Sequence, residues 1–144
     1  MIRQALASDT NTVIGLAQLL WPGHEKEELY KEMLAYITSK NSVILISYEG
    51  NELIGFAQCS LRYDYVEGTE SSPVGYLEGI YIKSDYRRRG KARKLIESCE
   101  AWAKKKGCSE FASDCEIGNL DSLKFHLSTG FEEANRVICF KKRI

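Results

Sequence analysis

The sequence predicts one mixed α/β layer domain over residues 1–144. Segments with helical apolar spacing are interleaved with short runs rich in Val, Ile and Tyr. Glycine, proline and polar clusters separate them, with no internal repeat, low-complexity tract or linker between. With 44% hydrophobic and 28% charged residues, the chain carries enough apolar material for a core and is not disordered.

A short strand is expected at 2–5. Ser8 or Asp9 then caps a first helix, whose apolar set Val13, Leu16, Ala17 and Leu20 has helical spacing. The string Trp21-Pro22-Gly23-His24 breaks it. A second helix is expected over 25–39, with Leu29, Met33 and Ile37 on one face. A strand at 42–48 turns at Glu49-Gly50-Asn51 into a longer one at 52–63. Residues 64–73 are polar and hold Gly68, Ser71, Ser72 and Pro73, which marks a loop. A strand at 74–82 feeds a basic loop and a helix over 91–106, whose end, Lys104-Lys105-Lys106-Gly107, suits the helix dipole. A strand at 110–115, a helix at 119–129 stopped by Gly130, and a last strand at 136–142 complete the series.

Composition narrows the function. Twenty basic residues balance twenty acidic ones, and the basic residues form no extended patch with interleaved aromatics, so nucleic acid is not an expected partner. No apolar run has the length of a membrane span and the N-terminus lacks a signal-peptide core, so no membrane partner and a cytoplasmic location are expected. The five cysteines, at 59, 99, 108, 115 and 139, are odd in number and form no C-x-x-C pair. They read as reduced thiols, Cys115 among them as strand packing. With only His24 and His126 besides, zinc-ligand spacing is absent and no metal is expected.

The stretch Arg87-Arg88-Arg89-Gly90-Lys91-Ala92 is the most informative. A strand, a loop closed by glycine and a helix N-terminus gather free backbone N–H groups around one point, which suits a phosphate. Gly90 lets the main chain approach a ligand, small Ala92 leaves room, and the arginines add charge-assisted bonds. A solvated basic turn would read the same over six residues; the flanking strand and helix favour the phosphate loop. There is no G-x-G-x-x-G, and Ala92 stands where a P-loop needs Ser or Thr.

The spacing Arg-x-x-Gly-x-Ala between that strand and that helix resembles the acetyl-CoA loop of the GNAT superfamily of N-acetyltransferases, and the order of elements matches over essentially the whole chain. The resemblance implies a mostly antiparallel central sheet whose fourth and fifth strands splay apart around acetyl-CoA. It assigns cofactor contacts to Ile80, Tyr81 and Ile82 and to Arg87, Arg88, Arg89, Gly90, Lys91 and Ala92. Asn119 matches the family's contact to the pantetheine arm, and it can equally be a plain helix cap. Where many members carry a tyrosine that protonates the leaving thiolate, this chain has His126, which can donate a proton near neutral pH or simply pack beside the cofactor.

Three further strings resemble the bacterial aminoglycoside 6′-N-acetyltransferases: Trp21-Pro22-Gly23-His24, the acidic and aromatic stretch 62–74, and Ala112-Ser113-Asp114 with Gly130-Phe131-Glu132-Glu133. The resemblance supplies the acceptor, a polycationic amine, and the chemistry is compatible: carboxylates and aromatic faces suit ammonium groups. Trp21, His24, Tyr65, Glu78, Asp114 and Glu132 are the expected acceptor contacts, although strand parity does not decide between Tyr65 and its neighbours. Glu78 is the candidate base, Asp114 an anchor or second base, and the Ile80 N–H the oxyanion donor. Gly79 is consistent with a β-bulge that aims the strand at the cofactor. The expected reaction is direct acetyl transfer without an acetyl-cysteine. Acetylation of another amine, such as a polyamine or protein, and a non-catalytic acetyl-CoA-binding module are the alternatives. The family often pairs through its last strands, and Val137-Ile138-Cys139-Phe140 is apolar enough for a homodimer.

Overall fold

A computed structural model describes residues 1–144. Its sheet has five strands: β1 (Ile2–Gln4), β2 (Ser42–Glu49), β3 (Glu52–Arg62), β4 (Val74–Ile82) and β5 (Phe111–Ser113). They lie in chain order, with β1 to β4 antiparallel and β5 parallel to β4. Helices α1 (Thr10–Leu20) and α2 (Lys26–Thr38) cover one face and α3 (Lys91–Lys105) the other; α4 is Leu120–Ser128.

Burial explains the continuous apolar runs. Residues 43–47 of β2 are all buried because both sheet faces are covered. Ile44, Ile46 and Phe56 meet Val13, Leu16, Leu29 and Met33 on one side. Val43, Leu45 and Ala57 meet Leu95, Ile96, Cys99 and Trp102 on the other. Each large apolar side chain so buried contributes about 1.5–3 kcal/mol. The β2–β3 hairpin turns at Gly50-Asn51, between the paired Glu49 and Glu52, and Gly50 supplies the positive φ of 57°.

Three expectations fail locally. Neither Ser8 nor Asp9 caps α1 with its side chain; a 3-10 turn, Ala7–Asp9, precedes the helix. Asp9 instead accepts the Leu6 N–H at 2.7 Å and pairs with Arg3 at 2.8 Å, tying β1 to the turn. Strand five is three residues long, and Cys115 lies beyond it, exposed rather than packed. The strand expected at 136–142 does not form. After Phe131, whose ring packs on Phe111 at 5.9 Å, the chain turns to the 64–73 loop, where Asn135 donates to Glu67 at 2.7 Å. The tail thus never lies along β5, and Val137, Ile138 and Phe140 stand 64%, 81% and 90% exposed. Cys59, Cys99 and Cys108 are buried, and no disulfide forms.

Candidate active site

The sheet opens where β4 and β5 part. Their parallel ladder pairs Gly75, Tyr76 and Leu77 with Phe111, Ala112 and Ser113 and then stops, while β4 runs on to Ile82. The outer edge of Glu78–Ile82 is left without a strand partner.

A β-bulge shapes the same segment. Against β3, Leu77 pairs with Cys59 and Gly79 with Gln58, so Glu78 is the extra residue. Without it, residues 77 and 79 would share a face. With it, Leu77 joins the α3-side core, whereas Gly79 faces the end of α1. A Cβ on Gly79 would lie 2.6 Å from Trp21 Cζ2, so only glycine lets the indole lie against the strand. Trp21 is half-buried, edge-on to Phe56 at 6.1 Å and stacked with exposed His24 at 6.3 Å.

Glu78 projects toward the side chains of β3. Its Oε1 accepts from Ser60 Oγ at 2.8 Å and from Arg62 Nη2 at 2.9 Å; Nη2 also reaches Oε2 at 3.0 Å. The guanidinium lies over the Tyr76 ring, 3.4 Å from its centroid, and the Tyr76 hydroxyl donates to Asp114. Burial and then the Asp114 acceptor push the Tyr76 phenol well above its usual range. Burial alone would lower the Arg62 guanidinium, but the hydrogen bonds and charge of Glu78 outweigh it and raise it. Tyr36 of α2 closes the group: burial, with the charges of Glu78 and Glu32, raises its phenol. Gln58 is fully buried beside it, with Nε2 donating to Glu32 at 3.4 Å and Oε1 without a partner.

Of the residues singled out in the sequence, the structure brings Glu78, Asp114 and Trp21 to this part of the molecule; Arg62, Tyr76, Tyr36, Gln58 and Ser60, which gather with them, were not singled out. The alternation Gln58, Ser60, Arg62 along β3 was a readable signal, since three polar residues on one face of a central strand need a partner. Tyr65 and Glu132 are both exposed, and no hydrogen bond joins either to Glu78 or Asp114; the Tyr65 hydroxyl donates to Glu67 at 3.1 Å.

The basic loop lies at the far end of β4. Gly90 takes φ 73° at the N-cap of α3, Arg88 also has positive φ, and a Cβ on Gly90 would meet nothing within 4 Å. The backbone N–H groups of residues 88–93 have no acceptor within the protein. They form an open set of donors at a positive helix end, fitted to an anion. Arg87 braces the loop: its Nε donates to the Ile82 carbonyl at 2.8 Å, and its guanidinium lies 5.3 Å from the Tyr81 ring centroid. Lys91 pairs with Glu49, Arg88 and Arg89 are exposed, and Ala92 packs on the core. Ile80 is half-buried on the α3 side of β4.

Asn119 caps α4, its Oδ1 accepting the Ser122 N–H at 3.1 Å. His126 is fully engaged. Nδ1 lies 2.7 Å from the Ser122 carbonyl and so carries the proton in the neutral ring, leaving Nε2, 2.8 Å from Ser113 Oγ, to accept. The ring sits edge-on between Phe125 and Phe131. Ser113 Oγ also lies 3.2 Å from the Leu77 carbonyl, so His126 is linked through Ser113 to the last ladder pair of β4 and β5, next to the open edge. No helix is long and apolar enough to cross a membrane, and no group of three His, Cys, Asp or Glu residues is placed to hold a metal.

Residues 6–131 match the acetyltransferase (GNAT) family. An aminoglycoside N(6′)-acetyltransferase type 1 from Acinetobacter genomosp. 13 is 46% identical over 132 residues, which cover 91% of this chain and 90% of that protein. The crystal structure of aminoglycoside N-acetyltransferase AAC(6′)-Iy in complex with CoA is 39% identical with a TM-score of 0.96, covering 100% of this chain and 95% of the other. The same enzyme in complex with the bisubstrate analogue CoA-S-monomethyl-acetylneamine superposes with a TM-score of 0.93 at 39% identity, covering 100% and 98% of the two chains.

Proposed function

The chain belongs to the acetyltransferase (GNAT) family, in the branch of the aminoglycoside 6′-N-acetyltransferases, and on that footing we propose that residues 1–144 form one domain that moves the acetyl group of acetyl-CoA to the 6′-amine of an aminoglycoside. The observation that carries the reading is the bulged Glu78, set with Asp114 and Trp21 beside the opening between β4 and β5.

The unbonded N–H groups of 88–93, with Arg87, Arg88, Arg89 and Lys91, hold the CoA pyrophosphate. The outer edge of Ile80, Tyr81 and Ile82 receives the pantetheine arm, with Asn119 on its other side. The acceptor lies on the α1 side, against Trp21 and His24, its ammonium groups on Glu78 and Asp114, with exposed Tyr65 and Glu132 contacting its outer rings. Glu78 takes the proton from the 6′-ammonium, directly or through water. The amine lone pair attacks the thioester carbonyl, the Ile80 N–H holds the oxyanion, and the C–S bond breaks as the amide forms. As the amide forms, its nitrogen gives up a second proton to water, and the CoA thiolate takes one from water or, through Ser113, from His126 in its imidazolium form. Exposed Cys115 forms no covalent intermediate.

The product has one cation fewer than the drug, which is the basis of antibiotic resistance by such enzymes. Action in the cytoplasm and a homodimer belong to the same proposal. The exposed apolar tail 137–140 and the open outer edge of β5 support pairing between copies. NMR of purified acetylated kanamycin tests the regiochemistry. The acetyl group on the 6′-nitrogen is expected, and acetylation at any other amine contradicts the assignment.

A further inference from the structure

Arg62 is the last residue of β3, and its guanidinium is joined to one acid of the acceptor site, Glu78, directly and to the other, Asp114, by way of Tyr76. Nε and Nη2 donate to Glu78 Oε1 at 3.2 and 2.9 Å, and Nη2 donates to Oε2 at 3.0 Å. Its other face covers the Tyr76 ring at 3.4 Å, and Tyr76 donates to Asp114. A carboxylate opposite an aromatic plate is an environment that receives an organic cation. Here the protein's own cation fills it. We propose that Arg62 is a resident counter-ion of the acceptor site, which yields Glu78 to an incoming ammonium group and so selects cationic acceptors.

The alternative is that Arg62 stays and the ammonium adds beside it. The bonding argues against that. Oε1 already carries donors from Ser60 and Arg62, and the open side of Oε2 adjoins Nη2. An ammonium there would stand next to a guanidinium against a carboxylate only 22% exposed, where like charges repel more strongly than in water. The Arg62 side chain is 42% exposed and borders the 63–73 loop, so its head can swing into solvent. Exchange keeps the half-buried carboxylate paired in both states, as such a group requires. A neutral sugar has no cation to offer and leaves the Arg62–Glu78 pair closed. Arg62 is thus a specificity-determining residue.

The inference rests on the polycationic acceptor proposed above. Its test is calorimetric binding of kanamycin to the full chain with CoA, for wild type and Arg62→Met. NMR of the wild-type Arg62 Nε–H, assigned by its absence in Arg62→Lys, accompanies it. Exchange predicts that Arg62→Met binds kanamycin roughly threefold or more tightly. CoA affinity should stay unchanged, and the wild-type Nε–H signal should move as kanamycin saturates. Equal or weaker kanamycin binding by a folded Arg62→Met protein overturns it, and so does an Nε–H signal that stays fixed at saturation. If Arg62→Met does not fold, the wild-type signal alone decides. Kanamycin that binds neither protein while CoA binds both overturns the acceptor reading and exchange together; kanamycin bound with Arg62 unmoved overturns exchange alone.

Discussion

Glu78 illustrates how much a single inserted residue can do. An unbulged strand would place residues 77 and 79 on one face and point 78 to the other. Glu78 keeps the face of Ser60 and Arg62 that alternation gives it, and the bulge turns Gly79 to that same face, where it meets Trp21. The carboxylate is held by three hydrogen bonds from Arg62 and one from Ser60, so it is oriented before any substrate arrives. Replacing it with an isosteric amide keeps an acceptor for Ser60 but removes the base. Glu78→Gln should lower kcat by roughly a hundredfold, the low end for loss of a general base, and flatten the acid limb of the pH–rate profile. Steady-state kinetics from pH 5 to 9 provides the check. A variant that changes only the acceptor's KM would make Glu78 a binding residue.

Among the elements, β4 joins the two halves of the site. One end carries Tyr76 and Glu78, and the other leads through Ile82 and Arg87 into the donor loop at α3. Gly79 couples the strand to α1, because a Cβ there would stand 2.6 and 2.7 Å from the indole of Trp21. Gly79→Ala must therefore displace Trp21. The expected outcome is a loss of about 1–3 kcal/mol of stability, as for other overpacked sites. The acceptor's Kd should rise by roughly tenfold while acetyl-CoA affinity holds, since the donor loop lies at the far end of the strand. Denaturant melts and calorimetry read both. Acetyl-CoA affinity falling in step would show that the strand moves as a unit. The donor loop was legible because its signal is local: glycine, arginines, a strand before and a helix after within a few residues. So was the bulge, since a glycine next to an acid in a central strand asks for a reason. The pairing of Glu78 with Arg62 was not legible, because it joins residues 16 apart across a loop and depends on register. The cap of α1 misled for a related reason: Asp9 found a better partner in Arg3, which no local pattern announces.

For the molecule as a whole, the segment that departs most from its sequence pattern is the C-terminus. Val137-Ile138-Cys139-Phe140 has strand composition, yet it runs past the 64–73 loop and finds no ladder. Composition can predict that a segment will pair but not with which edge or which chain. The exposed apolar tail and the open edge of the three-residue β5 are complementary features that one copy does not bring together. A chain truncated after residue 136 should therefore run as a monomer in light scattering, with the full chain a dimer. Its thermal midpoint should be lower than the full chain's and independent of protein concentration, because pairing between copies stabilises the folded chain by mass action. A monomeric full chain would contradict the dimer.

The central claim is the acceptor. It is tested by thiol release from acetyl-CoA with kanamycin, tobramycin, an aminoglycoside bearing a 6′-hydroxyl, spermidine and a lysine-rich peptide. Release with the two 6′-amino drugs and none with the 6′-hydroxyl analogue is the predicted result. Release only with spermidine or the peptide would keep the family and the chemistry but contradict the acceptor, and silence across the panel with acetyl-CoA bound would contradict the enzyme.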